Sequence, residues 1–545
     1  MKSKMIFAFS KTRLLLAMMA MVSLAAAAYA AAPGISAPIF SLTAQPASIS
    51  QPDGEAIYSW GYGCAQGFTP TFLPAKIQPA NGCPSMQVPG PTLIVTEGQS
   101  VTVNLTNNLP AAAGNTSILF PGFKVTATAA ATQPSTCTAT TAATRAPQGL
   151  LTTEAANGCT VTYTFTATSP GTRSYYSGTQ SDLQIEMGLY GAIIVLPNNV
   201  PAACSAGVHA TNVQAQGVWQ ESDFRLANSA YDHDKTCYDR EYLFQFSEMD
   251  PNIHTQAAAQ VKALQGCTSG ASGCSLQVPT EPYHPAYFLV NGRSMPDDMD
   301  PNYAIQYPHQ PYNGNPHLHP GELVLLRIIG QGRWQHPFHE HANHVRILAR
   351  DGNLILSQGN SEDLAGPPLF TTTTTPGLAM DGLFYFTGRG LNWDMYGHNP
   401  SSSDSNATLT CTPDANGYNT GGLAYTQINY FEWCQDHNKP LQVSPFGDVG
   451  GGGPVTLPDP NIFTNGAWYG GSPYLGSDAT TRAVGATGVT PPSGTIANSP
   501  SGEAGFAFMW HSHNEREITT NNAFPGGMMM MMIVDSREFV IDESN

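Results

Sequence analysis

Four of the chain's 15 histidines fall within nine positions, HPFHEHANH at 336–344. A second group, His511-Ser512-His513, follows much later. Each group contains a His-x-His pair, His339-Glu340-His341 and His511-Ser512-His513. In extended backbone, side chains two apart share a face, so each pair presents two imidazoles side by side. Adjacent strands lie about 4.8 Å apart, and two such pairs on neighbouring strands can converge on one or two metal ions. Imidazole suits copper, zinc, iron or nickel. Glu340 alternates to the opposite face and is not a ligand on this reading. The competing reading makes His336, His339, His341 and His344 ordinary core or surface residues. Burying an imidazole is costly unless it is hydrogen-bonded, which favours a metal site.

The elements that would carry these pairs are strands. Short β-branched or alternating runs recur between Gly, Pro, Asn and Ser clusters, as in TLIVTEGQSVTVNLTNN (92–108), CTVTYTFTATS (159–169) and GELVLLRIIG (321–330). This is the pattern of an all-β sandwich protein, and helical periodicity is scarce. The 53 glycines and 43 prolines suit many turns. Two stretches read as loop insertions: 123–160, rich in Ala and Thr, and 398–504, rich in Gly, Ser, Asn and Pro. A boundary falls near 197–201, after the apolar run GAIIVLP.

At the N-terminus a short basic segment, an apolar run over 14–28 and the small-x-small triplet Ala28-Tyr29-Ala30 read as a signal peptide over 1–30. An exported protein is expected, periplasmic or extracellular, with no membrane-inserted segment. Ten cysteines in that compartment read as disulfides, and neighbour pairing gives five bridges, although spacing alone does not fix connectivity. The net charge of −17, with 22 Lys and Arg, argues against nucleic acid or an anionic membrane as partner.

Several islands of the sequence resemble the multicopper oxidases, a family built from cupredoxin domains. VPGPTLIVTEGQSVTVNLTNNLP (88–110) and SGTQSDLQIEMGLYGAIIVLP (177–197) resemble the opening and closing strands of that family's first domain. YFLVNGRSMP (287–296), HPGELVLLRIIGQGRWQHPFHEHANHVRILARDG (319–352) and MWHSHNEREITTNNAFPGGMMMMMIV (509–534) resemble the segments around its copper ligands. The resemblance implies two cupredoxin-like Greek-key β-sandwich domains, 33–200 and 201–545, the second carrying the histidines and the long insertion. It also implies copper as the cofactor, one or two ions, with zinc the lesser alternative. The implied ligands are His339, His341, His511 and His513.

The family holds three coppers with four His-x-His pairs, two of them from its first domain. Here those first-domain positions read Leu119-Phe120-Pro121 and Ser174-Tyr175-Tyr176, and no histidine precedes His209. The separate type 1 copper is also altered: its cysteine position is Ser512 and one histidine position is Glu517, while His336 matches the other. No blue copper centre is expected without the thiolate. Assembly as a trimer, common among two-domain relatives, would not supply the missing histidines.

Other residues keep two readings. Glu515 and Glu517 are solvated acids, or else carboxylate ligands or a base beside a metal-bound water. The methionines at 528–532 form a core strand, or bind soft copper(I). Met528 is also a candidate type 1 ligand. His317 and His319 serve a loop or add a ligand. Trp510 alternates away from His511 into the core, and Tyr175 and Tyr176 face the metal or, on the favoured reading, pack at the domain interface. Trp393 and Tyr396, in GRGLNWDMYGH (388–398), cap the site or merely pack. His344 has no assigned role. Three functions follow: a copper-dependent oxidase acting on a phenol-like compound or a metal ion with oxygen as acceptor, a carrier or sequestering protein for copper or zinc, or a metal-free scaffold.

Overall fold

In a computed structural model, the described residues are 31–139, 141–204, 222–319, 321–342, 344–386 and 505–535, with 412, 413, 415, 434, 471, 472, 541 and 543. The stretches read as signal peptide (1–30) and as the long insertion (398–504, apart from a few positions), with Trp393 and Tyr396, lie outside them. The all-β sandwich expectation holds: four sheets form two sandwiches.

The first sandwich uses strands from the first 200 residues. One sheet orders Thr71–Leu73, Gly34–Ser36, Leu93–Thr96, Tyr190–Leu196 and Gly171–Tyr176. Its partner orders Ala56–Cys64, Ile39–Ser50, Ser100–Asn107, Thr160–Thr166 and Thr126–Ala129. Alternation explains the core: in Ser100–Asn107, Val101, Val103 and Leu105 point in while the residues between them are partly or fully exposed. The Ala/Thr-rich stretch that reads as an insertion supplies one edge strand, Thr126–Ala129, paired with Thr160–Thr166. Its small residues hide the strand signal because they give no apolar alternation.

The second sandwich places Arg240–Met249, Leu323–Gly330 and Ala379–Tyr385 at the middle of one sheet. The facing sheet orders His317–Leu318, Met529–Asp535, Gly505–Ser512, His336–Glu340 and Thr371–Thr374. Between the sheets lie Phe244, Phe246, Phe338, Phe384, Trp510, Met528, Met530 and Met532. Trp510 is fully buried there, 4.9 Å ring to ring from Phe384. Thus Trp510 turns away from His511, and alternate methionines of the 528–532 run fill the core.

Among the described residues, Pro251–Ala263 is the one long helix, and the sequence pattern does not suggest it. Asp250 caps it by accepting from Asn252 N at 2.9 Å, and proline opens it. Only Ile253, His254 and Ala257 are buried on it, too few to show periodicity. It packs on the first sandwich, where His254 Nδ1 lies 2.6 Å from Tyr58 O. Disulfides join Cys64–Cys83, Cys137–Cys159, Cys204–Cys237 and Cys267–Cys274, so four neighbour pairs form, and Cys434 is also disulfide-bonded. No helix among the described residues is long and apolar enough to cross a membrane.

Candidate metal centre

The two His-x-His pairs meet on the face of the second sandwich turned away from its core. His339 on His336–Glu340 stands directly opposite His511 on Gly505–Ser512, in antiparallel register. The core-facing neighbours, Phe338 and Trp510, fix that orientation by burial. Ring centroids of His339 lie 4.7 Å from His341, 5.7 Å from His511 and 5.1 Å from His513. His341 and His511 are 5.0 Å apart by centroid, with their Nε2 atoms 3.1 Å apart. Just past His341, Ala342 adopts φ 87°, a left-handed conformation uncommon for a residue with a Cβ. The chain turns there, and Trp510 Nε1 donates to His341 O at 3.0 Å, which holds the turn.

The donor set fits an imidazole-binding ion. For metal–nitrogen bonds of about 2.0 Å, two nitrogens 3.1 Å apart subtend about 100°, near a tetrahedral angle. His511 Nδ1 lies 2.7 Å from Ser512 O. Donation to that carbonyl leaves the lone pair on Nε2, the atom that faces His341. His339 Nδ1 is 2.9 Å from Thr371 Oγ1 on the next strand. Burial lowers His339 to about 4, with the neighbouring His511 and His513 adding to the fall, and burial likewise lowers His511. Both rings are therefore neutral at pH 7, the state a ligand needs. His513 is exposed, and Phe370 flanks His339 and His344 at 5.6 and 5.3 Å. Among the described residues, no three His, Cys, Asp or Glu side chains are drawn together as a finished metal cage. The arrangement is a facing pair, His341 and His511, with His339 beside it and His513 at its open edge.

Thr371 is expected to orient His339. Thr371→Val should weaken copper binding about 10- to 100-fold, the range for losing a ligand's hydrogen-bonding partner. Competition against a chromogenic chelator measures it, and unchanged affinity would remove His339 from the site.

His336 does something else. On the core face, its Nδ1 is 2.9 Å from Glu517 Oε2 and its Nε2 is 2.9 Å from Glu248 Oε2. All three side chains are buried. Burial by itself would depress the imidazole, but hydrogen bonds to Glu248 and Glu517 and their charges push it up to about 9. Ser512 Oγ also donates to Glu517, as does Asn514 Nδ2 at 2.8 Å. The residues at the positions that resemble a type 1 copper site, His336, Ser512 and Glu517, thus meet one another, joined by Glu248. Glu517 is buried rather than a solvated acid. Glu248 extends the network: its Oε1 accepts from Arg333 N and Trp334 N at 2.6 and 2.9 Å. Tyr283 Oη donates to Glu248 and to Glu186 of the first sandwich, at 3.3 and 2.7 Å. Glu248 carries a sequence signal of its own: alternation through REYLFQFSEM puts it on the core face with Tyr242, Phe244 and Phe246, where a charge needs a partner.

Ser512→Cys is therefore expected to give no blue colour with copper(II). Both ring nitrogens of His336 are held by acids, and a thiolate alone does not complete the site. A visible spectrum of the copper-loaded variant checks this, and a blue solution would mean the acids release the ring.

The first-domain positions hold packing rather than ligands. Leu119 bridges Tyr176 in antiparallel fashion, and the Phe120 and Tyr175 rings are 5.8 Å apart. Tyr175 Oη donates to Pro91 O at 2.7 Å. Tyr176 is half-buried beside Tyr190, Met249 and Tyr287, where the two sandwiches touch. His317 and His319 are buried in and after the short strand His317–Leu318. There the His317 carbonyl accepts from Tyr242, and His319 N donates to Glu322 at 2.7 Å. Glu340 is buried against Thr372 Oγ1 at 2.6 Å, on the face away from the histidine cluster, and burial pushes it up to about 8.

Residues 80–200 match the multicopper oxidase family. No curated protein matches the chain in sequence. Among solved structures, it is similar to a blue copper oxidase from Nitrosomonas europaea, at 13% identity over 91% of this chain and 85% of that one, TM-score 0.41. It is similar to the multicopper oxidase mgLAC at 14% identity over 93% and 88%, TM-score 0.41. A copper nitrite reductase from Nitrosomonas europaea is 17% identical over 64% and 85%, TM-score 0.35. Scores this low bear no weight on the chemistry of the site. Residues 80–200 thus match a multicopper oxidase domain, and with the altered ligand positions described above this is consistent with a divergent member of that family.

Proposed function

We propose that the chain is an exported copper protein whose His339, His341, His511 and His513 hold one or two copper ions, and that it acts there as an oxidoreductase. The observation that carries this reading is the 3.1 Å approach of two imidazole Nε2 atoms on a sheet face bearing two further histidines. Bound copper would supply one-electron redox chemistry. The chain's own residues would prepare the ligands. Burial keeps His339 and His511 neutral, the Ser512 carbonyl fixes the tautomer of His511, and Thr371 orients His339. Exposed His513 leaves one side of the cluster accessible to a small reductant. The substrate class, a phenol-like compound or a metal ion with oxygen as acceptor, is inherited from the family. Export rests on the disulfides and on the N-terminal sequence, and the partners are small molecules or metal ions rather than nucleic acid.

One observation favours a second reading, copper holding without turnover. The His336–Glu248–Glu517 cluster occupies the position through which the family passes electrons to its oxygen-reducing coppers. The test is elemental mass spectrometry of the protein purified from its exported fraction, followed by oxygen uptake with phenolic and metal-ion reductants. Copper that disappears in His341→Ala and His511→Ala, with oxygen uptake, is the expected result. Copper without oxygen uptake selects the second reading. Zinc alone, or no metal after copper loading, overturns both.

A further inference from the structure

The outward methionines of the 528–532 run are buried on the opposite face from the core between the sheets and are not among the histidines of the cluster. Met529 stands opposite His511 and Met531 opposite Met509 across the same strand pair. Met528, Met530 and Met532 point into the sandwich, so Met529 and Met531 share the outer face with His511. Met531, Met509 and Met299 come together there, with Ile533 the only other member of their cluster among the described residues. The three reach it from separate segments: Met529–Asp535, Gly505–Ser512 and the short turn Asp297–Met299. Met531 is 7% exposed, while Met299 and Met509 are only partly covered, so solvent reaches the group. Asp297 and Asp300, both half-buried, flank Met299, and with Asp298 they outnumber the one cation they share, Arg293.

We infer that Met299, Met509 and Met531 form a second metal site, for a soft monovalent ion such as copper(I). Thioether sulfur selects copper(I) over harder ions, whereas the all-imidazole cluster has no such preference. Two strand residues span about 6.8 Å, so the Met509–Met531 row lies one such step from the His511–Met529 row. Met529 sits between the two sites on the shared face. Methionine also packs irregular gaps, and the inward three do so. Among the described residues, the outward three cluster with one another and Ile533, and Met299 and Met509 are partly exposed.

Silver(I), monovalent and redox-inert, is the probe. It is titrated into wild-type protein, into Met299→Leu/Met509→Leu/Met531→Leu, and into His339→Ala/His341→Ala/His511→Ala, with native mass spectrometry reading the bound ions. Leucine conserves volume, so the methionine variant should fold, and circular dichroism checks it. The expected result is silver retained by the histidine variant and lost from the methionine variant. In wild type, silver should also slow peroxide oxidation of Met509 and Met531. Silver lost with the histidines but kept by the leucine variant overturns the inference, as does no silver bound to wild type. Neither outcome touches copper(II) binding by the imidazoles, which the elemental analysis tests separately.

Discussion

Glu517→Ala should cost about 3–5 kcal/mol of folding stability, the usual effect of removing one partner from a buried ion cluster. The variant keeps His336 in a dry site with only Glu248 to balance it, and it strips Ser512 and Asn514 of their acceptor. Urea unfolding at pH 7 measures the loss, and a cost within about 0.5 kcal/mol, typical of surface changes, would contradict it. The same cluster predicts a pH dependence. His336 titrates near 9 in the folded protein and near its ordinary 6.5 when unfolded. A raised value means the folded state holds the proton more tightly. The stabilisation is therefore complete below about pH 6.5 and lost as pH rises through about 9. The span corresponds to roughly 3 kcal/mol. In Glu517→Ala this alkaline fall should be much smaller. An equal fall in both proteins would place the responsible proton elsewhere.

His341→Ala should abolish stabilisation by copper. An ion that binds only the folded state raises stability by about 2.7 kcal/mol at 100 times its dissociation constant. Thermal unfolding of the wild type with and without copper(II) should show that gain as a higher midpoint. The alanine variant, left with no Nε2 facing His511, should show almost none. His513→Ala should keep part of the shift, because its ring lies at the exposed edge, 5.5 Å from His511 by centroid. A full shift in His341→Ala would move the ion away from the facing pair.

The outer face was legible in the sequence because period-two alternation is a local rule: once His339 and Phe338 lie on one strand, their opposite directions follow. The same rule sends Trp510 and Met530 inward. The pairing of His339 with His511 across 172 positions was legible only through the family resemblance, since no local pattern fixes register between distant segments. The His336 cluster was half legible. Substitution of the family's cysteine and histidine by Ser512 and Glu517 signalled a lost copper. That the new acid would bind His336 depended on a turn, Glu515–Ile518, that folds Glu517 back beneath Ser512. Glu248 comes from the other sheet, and its role needed the sandwich to be closed. The helix Pro251–Ala263 was hidden because few of its residues are buried. Its signal lay in the Asp250-Pro251 start rather than in apolar spacing.

The most direct test is a crystal structure of copper-loaded protein with anomalous scattering collected at the copper edge. The expected peak lies between His341 Nε2 and His511 Nε2, within bonding reach of both, with His336 still held by its two glutamates. A copper peak at His336 and Ser512, or no peak near the four outer histidines, would contradict it.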